Sequence, residues 1–178
     1  MEEKLFNELY EKYHGMLFQF LFYMVRSREQ AEDLVQEVYI RVWKAHGKFE
    51  GKSSEKTWLF AIARNVAIDY FRQQQSLKRK AMMVLGEMTD QVKDTSPLPE
   101  EIAEEREEIR LVYSSLNQCT VDQRMVMILR YQQELTIAET AEALHWTEGK
   151  VKTTQHRALK KLKNFMSGGG GQSPLKAS

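Results

Sequence analysis

The sequence predicts an all-α protein made of two small helical domains joined by a flexible acidic linker. Apolar residues recur every three or four positions through most of the chain, which is the spacing of one helix face. Capping residues stand before several of these segments, and no stretch alternates as a β-strand does. A chain of 178 residues suits one domain or two small ones.

Three helices make up the first predicted domain. The first carries apolar residues at helical spacing from Leu5 to Met24, over about six turns. Ser27 is expected to end this helix and to cap the next one. After a loop with two glycines, a third helix is expected to run to about Gln75. Amphipathic helices of this length can bury one compact core, so this part of the chain is predicted to fold independently.

The second predicted domain follows a segment that ends in two prolines and has no persistent period. Pro99 is expected to open a helix with an acidic first turn that continues to Leu116. A helix over 122–132 and a helix-turn-helix complete the domain, and a glycine-rich tail follows. The predicted division is a domain over 1–80, a linker over 81–98, a domain over 99–166 and a disordered tail over 167–178.

The net charge of +1 hides an uneven distribution. Residues 1–80 carry 14 Lys and Arg against 11 Asp and Glu, and residues 111–178 carry 9 against 5. Residues 81–110 carry 3 against 9. Two mildly basic regions are therefore joined by an acidic connector. This pattern is consistent with two separate contacts with a polyanion.

The composition also limits the classes of function. A single cysteine, Cys119, excludes an internal disulfide framework and a cysteine-rich zinc site. The four histidines have no metal-ligand spacing, so we expect no metal and no cofactor. Without a nucleophile–base set or a phosphate-cradling glycine loop, we expect neither an enzyme nor a small-molecule substrate. The acidic N-terminus and the lack of a long apolar run predict no signal peptide, no membrane span and a cytoplasmic location.

Residues 135–162 have the pattern of a helix-turn-helix. Thr136 can cap the first helix with Glu139 in the capping-box position, and Thr147 can cap the second. An ordinary helical hairpin with a solvated basic face is the alternative, but the coincidence of caps, turn and basic face favours DNA binding. Donor-rich side chains face outward on the second helix, as major-groove contacts require: Lys150, Lys152, Thr153, Thr154, Gln155, His156 and Arg157.

The third helix of the first domain carries a second candidate nucleic-acid face. Its members lie at spacings of seven, four and three: Trp58, Asn65, Asp69 and Arg72. An indole for stacking, an amide for base edges and a guanidinium for phosphate suit unstacked single-stranded bases. Lys52 and Lys56 add positive charge beside this face. Spacing alone slightly favours the alternative, in which Trp58 is a core aromatic and the charges are solvated.

The string DLVQEVYIRVWKAHGKFEG…TWLFAIARNVAIDYFR, followed by the helix-turn-helix, resembles bacterial sigma factors of the extracytoplasmic-function group. The resemblance covers roughly residues 1–166. It implies a protein that binds core RNA polymerase, recognises promoter DNA as duplex and as melted single strand, and promotes transcription initiation in a stress response. It also implies control by an anti-sigma protein, which in this family is usually anchored in the membrane.

The resemblance implies roles for particular residues. The helix containing DLVQE would dock on the clamp helices of the largest polymerase subunit through Asp33, Gln36 and Glu37. The following loop would capture an unpaired base of the minus-ten element, and the face on the third helix would hold the rest of it. That loop spans Phe49–Lys56 and includes Lys52, Ser53, Ser54 and Lys56. The minus-thirty-five element would be contacted by Lys152, Thr153, His156 and Arg157.

Two alternative functions remain open at this point. A stand-alone helix-turn-helix regulator would bind duplex DNA without polymerase, usually as a two-fold dimer. An adaptor would bind a protein partner through the first domain. One departure from the family pattern is His145, because many relatives have glycine in this turn and histidine tolerates the left-handed conformation less readily.

Overall fold

The computed structural model describes residues 3–45, 47–85 and 98–169, and within these ranges it contains helices and turns but no strand. The all-α prediction is therefore confirmed. Within the same ranges, no helix combines the length and the apolar character that crossing a bilayer requires. The elements are α1 (Glu3–Val25), α2 (Arg28–Lys44), α3 (Glu55–Leu85), α4 (Glu100–Ala103), α5 (Glu107–Leu116), α6 (Val121–Met127), a π-helical turn (Ile128–Gln132), α7 (Ile137–Leu144), α8 (Glu148–Asn164) and a final π-helical turn (Phe165–Gly169).

Helices α1, α2 and α3 pack together around a shared apolar core. Phe20 of α1 lies edge-on against Phe60 of α3, with ring centroids 5.5 Å apart, and both rings are buried. Ser27 caps α2 as predicted, because its hydroxyl accepts a hydrogen bond from the Gln30 backbone N–H at 3.3 Å. These contacts fix the outward faces of α2 and α3 relative to each other.

Helix α3 is longer than predicted. It runs to Leu85, so the expected end near Gln75 is wrong and residues 81–85 of the predicted linker are helical. The physical reason is that residues 73–84 contain neither proline nor glycine and consist mostly of good helix formers. The rest of the predicted linker, residues 86–97, lies outside the described residues, as does most of the predicted tail.

The predicted helix from Pro99 to Leu116 is broken. Helix α4 ends at Ala103 and α5 begins at Glu107. The acidic run places glutamates four residues apart, as in the pair Glu100 and Glu104, and like charges at this spacing destabilise a helix.

The helix-turn-helix forms as predicted, with α7 and α8 as its two helices. The Thr136 hydroxyl accepts from the Glu139 N–H at 3.1 Å, and the Glu139 carboxylate accepts from the Thr136 N–H at 2.7 Å. The Thr147 hydroxyl accepts from the Lys150 N–H at 3.1 Å and caps α8. Helix α8 packs on both α6 and α7, which holds it with its polar face outward.

His145 ends α7 in the left-handed conformation, with φ 56° and ψ 41°. A residue with a Cβ is strained in this region, whereas glycine is not. We therefore expect His145→Gly to raise the free energy of unfolding by about 0.5–1 kcal/mol. Urea unfolding followed by circular dichroism measures this change. Glu142→Gly, within α7, should instead lower stability by about 1 kcal/mol; a loss at both positions would contradict the strain argument.

The two helical units pack against each other through α3 with α7 and α1 with α6. Arg124 Nη1 donates to the Met24 carbonyl at 2.7 Å, and Gln133 Nε2 donates to Gln19 Oε1 at 3.2 Å. Lys56 Nζ donates to the Gln133 carbonyl. The spacing of residues along the chain does not predict this closed arrangement.

Candidate nucleic-acid and protein interfaces

The outward face of α2 presents Asp33 and Gln36 to solvent. Glu37 is instead ion-paired with Arg41, which lies one turn further on, at 2.8 Å. The second guanidinium nitrogen of Arg41 reaches Asp69 of α3 at 2.9 Å. The hydrogen bond to Glu37 raises the pKa of Arg41, which keeps this bridge charged.

Arg41 therefore ties one predicted polymerase contact, Glu37, to one predicted DNA contact, Asp69. Both carboxylates remain partly exposed, so the bridge orients them more than it hides them. The spacing of Glu37 and Arg41 is the favourable i,i+4 spacing of a helical ion pair. That signal was present in the sequence, whereas the contact with Asp69 depends on how α2 packs on α3.

A groove of about 630 Å³ lies between α1 and α2, and Gln36 lines part of it. Its walls are largely aromatic, and the rings of Tyr10 and Tyr39 are 4.8 Å apart. Trp43 at its end is 48% exposed, which is unusual for so large an apolar side chain. Burial raises the pKa of Tyr39, so its hydroxyl stays neutral. The polar side chains of Asp33, Gln36 and Glu37 on α2 are called the α2 row. Together with the groove they form one surface that is partly apolar and partly polar.

Most of the predicted DNA-contacting side chains in and next to the loop before α3 have hydrogen-bond or ion-pair partners within the protein. Lys52 is ion-paired with Glu50. Ser54 caps α3, because its hydroxyl accepts from the Thr57 N–H at 3.1 Å and donates to the Thr57 hydroxyl at 2.9 Å. Lys56, in the first turn of α3, donates a hydrogen bond to the Gln133 carbonyl. Ser53 is half-buried.

The candidate face on α3 is partly formed. Asn65 and Arg72 are exposed, and Asp69 lies between them with its partner Arg41. Trp58 is half-buried against the core, and its ring lies 5.1 Å from that of Phe49 in the preceding loop. The indole thus contributes to packing, as the core interpretation predicts, and its ring also borders the loop.

The outward face of α8 is the most complete of the predicted surfaces. Its base-contact candidates are exposed, apart from the half-buried Thr154. Lys150 lies 3.8 Å over the ring of Trp146, so its charge is held close to the turn. Gln155, also half-buried, accepts from Arg130 at 2.9 Å, which fixes α8 against the preceding π-helical turn. The exposed candidates are Lys150, Lys152, Thr153, His156 and Arg157.

A groove of about 450 Å³ borders this face, between the start of α6 and the start of α8. Gln123 and Thr120 line one wall, and Thr153 and Arg157 line the other. The pattern around Gln123 predicts only the α6 capping box that it forms with Thr120, and not a place beside α8. Only the packing of α6 on α8 brings these side chains together.

No group of three or more His, Cys, Asp or Glu in the described ranges could hold a metal ion. Cys119 is a buried free thiol, and its burial raises its pKa. The surfaces described above present hydrogen-bonding, charged and aromatic side chains.

The sequence matches two family descriptions, Sigma-70 region 2 over residues 9–77 and Sigma-70, region 4 over residues 109–162. It is 53% identical over 164 residues to the ECF RNA polymerase sigma factor SigX of Bacillus subtilis, covering 92% of this chain and 84% of that one. It is 30% identical over 161 residues to the RNA polymerase sigma factor YlaC of the same organism, covering 90% and 91%.

Two solved structures share the fold. The sigma factor RpoE of Bartonella quintana, in complex with the anti-sigma factor NepR, aligns with a TM-score of 0.73 at 24% identity, covering 92% of this chain and 98% of that one. CnrH, in complex with the cytosolic domain of CnrY, aligns with a TM-score of 0.69 at 19% identity, covering 93% and 90%. At these identities the likeness concerns the fold.

Proposed function

Because this chain belongs to the sigma-70 family of RNA polymerase sigma factors, in its extracytoplasmic-function group, we propose that its three exposed surfaces divide the work of promoter opening. As a sigma factor, it binds core RNA polymerase, recognises promoter DNA and promotes transcription initiation. The observation that carries the finer proposal is that three different helices, α2, α3 and α8, each present exposed polar side chains.

The α2 surface docks on polymerase. Asp33 and Gln36 are exposed there, and the aromatic groove beside Gln36 supplies apolar area that a partner helix can bury. Glu37 completes the row while anchored by Arg41. This surface works in the cytoplasm, where core polymerase and promoter DNA are found.

The α3 face and the loop before it hold the melted minus-ten element. Asn65 offers an amide to an unpaired base edge and Arg72 a guanidinium to phosphate, while the rim of Trp58 borders the loop. Lys52, Ser53, Ser54 and Lys56 join this contact only after rearrangement, since three of them have internal partners in the closed form.

The two helical units must separate when DNA is engaged. The two promoter elements lie about 25 base pairs apart, or about 85 Å along duplex at about 3.4 Å per base pair. A compact chain of this length is only about 40 Å across. Lys56 would then leave Gln133 and become available to the melted strand. Docking on polymerase fixes the new spacing, which turns two weak contacts into one bivalent engagement.

An anti-sigma protein is the proposed regulator. Support comes from the two solved structures of the same fold, one with the anti-sigma factor NepR and one with the cytosolic domain of CnrY. Membrane anchoring of this regulator is part of the same proposal.

The outer face of α8 is tested by a promoter-library selection with holoenzyme reconstituted from core polymerase. Arg157→Ala should cost about 1–3 kcal/mol of discrimination and change the preferred bases within the minus-thirty-five element. Lys160→Ala, one turn away on the same helix, is the matched control and should weaken binding evenly across sequences. An unchanged upstream preference for Arg157→Ala would contradict the assignment.

A further inference from the structure

One lysine on the outer face of α8 is held by an aromatic ring. The ammonium nitrogen of Lys150 lies 3.8 Å from the centroid of the Trp146 ring, a close contact for a cation on an indole face. The ring is half-buried and packs against the apolar core, so it forms a fixed platform in the turn. Lysine ordinarily has a flexible stem, so this contact gives Lys150 a defined position that most exposed lysines lack.

The contact with the ring leaves the donors of the ammonium available. A lysine ammonium has three N–H donors, and the face of an indole attracts its charge without accepting conventional hydrogen bonds from them. Within the described ranges, no carboxylate is ion-paired with Lys150. Its backbone N–H, not its ammonium, donates to the Thr147 hydroxyl at 3.1 Å. Lys150 therefore combines a defined position with unused donors, which suits a specific base contact.

The helical register places Lys150 in line with an assigned base contact. Lys150, Thr153 and Arg157 are spaced i, i+3 and i+7, so they share one side of α8. All three line the groove of about 450 Å³ between α6 and α8. Lys150 precedes Arg157 by about 10.5 Å along the helix axis, which corresponds to about three base pairs of duplex. The N-terminal residues of a recognition helix are the ones that contact base edges.

We propose that Trp146 positions Lys150 to read a guanine of the minus-thirty-five element. This inference rests on the proposed function of the outer face of α8. Guanine is the expected base because its N7 and O6 atoms are both acceptors in the major groove, whereas a lysine ammonium only donates. Lys150 determines the specificity at this base pair. Trp146 acts through Lys150 and is a positioning residue.

A promoter-library selection with reconstituted holoenzyme tests the contact. Lys150→Met keeps an unbranched stem but removes the charge and the donors. It should lower the preference for guanine at one position at least fivefold, the lower limit for a specific base contact. Trp146→Leu keeps an apolar side chain without a π face and should lower the same preference about twofold to fivefold, whereas Trp146→Phe should retain most of it. Lys163→Met makes the same change of charge near the other end of α8 and should leave every base preference unchanged.

Two further measurements separate positioning from a general disturbance of α8. In the Lys150→Met background, Trp146→Leu should have no further effect on the guanine preference, because the ring acts through the lysine. A promoter fragment with 7-deazaguanine at the selected position lacks the N7 acceptor. It should bind the wild-type holoenzyme more weakly than the normal fragment does, and it should bind the Lys150→Met holoenzyme equally well.

Additive effects of the two substitutions would overturn the proposal. Weaker binding of Lys150→Met to all sequences without a change in base preference would also overturn it, because that result indicates a phosphate contact. So would a stronger guanine preference in Trp146→Leu, because the ring would then compete with DNA for the ammonium. If Arg157→Ala also leaves the upstream preference unchanged, the proposed function of α8 fails as well. A changed preference for Arg157→Ala alone confines the failure to this inference.

Discussion

Transcription from every template is expected to be lost when Asp33 and Gln36 are both replaced by alanine. Both side chains are exposed on α2, and Gln36 lines the aromatic groove, so the double variant removes polar groups of the docking surface without disturbing the core. A sigma factor that no longer holds polymerase cannot use a duplex promoter or a pre-melted one. Binding to core polymerase, measured directly, should fall together with initiation.

The matched comparison replaces Asn65 and Arg72 by alanine on the α3 face. Asn65 and Arg72 are proposed to stabilise the melted strand, and a pre-melted bubble removes the cost of unpairing that their contacts offset. Initiation should therefore fall far more on duplex than on the bubble, with core binding intact. Lys56 is left unchanged because it also joins the two helical units. Equal template dependence for the two double variants would show that docking and melting are not separate surfaces.

Holding the two helical units together should block initiation almost completely. Gln19 of α1 accepts a hydrogen bond from Gln133 at 3.2 Å, and the next residue, Glu134, is exposed. Cysteines at Gln19 and Glu134 can be joined by a short thiol-cleavable reagent. The closed chain then cannot span the two promoter elements, and we expect at least a tenfold loss, on the order of 1.4 kcal/mol or more. Reduction of the reagent should restore initiation.

The control for this experiment is a cysteine pair at Glu8 and Lys12, which lie four residues apart on α1 and are exposed. A tether there leaves the two helical units free to separate and should reduce initiation only slightly. Variants with a cysteine at only one of the two positions, treated with the same reagent, show whether the buried thiol of Cys119 also reacts. Full initiation by the completely cross-linked Gln19 and Glu134 pair would show that the closed arrangement is compatible with promoter opening.

The sequence by itself determined the local features of this protein. Thr136, Glu139 and Thr147 act over three residues of chain, so their caps could be predicted without knowledge of the fold and are confirmed. The same holds for the apolar periodicity of α1 to α3 and for the family resemblance. The conformation at His145 was also foreseeable, since a helix that ends in this way usually requires a left-handed residue.

Tertiary structure alone decided which candidate groups have partners on a different helix or in the other helical unit. The bridge from Arg41 to Asp69 joins two helices, and the contact of Lys56 with Gln133 joins residues 77 positions apart. A pattern of spacing along one chain contains no information about such distant pairs, because their distances are set by how helices pack. The same limit applies to the closed arrangement of the two units: its hydrogen bonds come from side chains and carbonyls that have no periodic signature in the sequence.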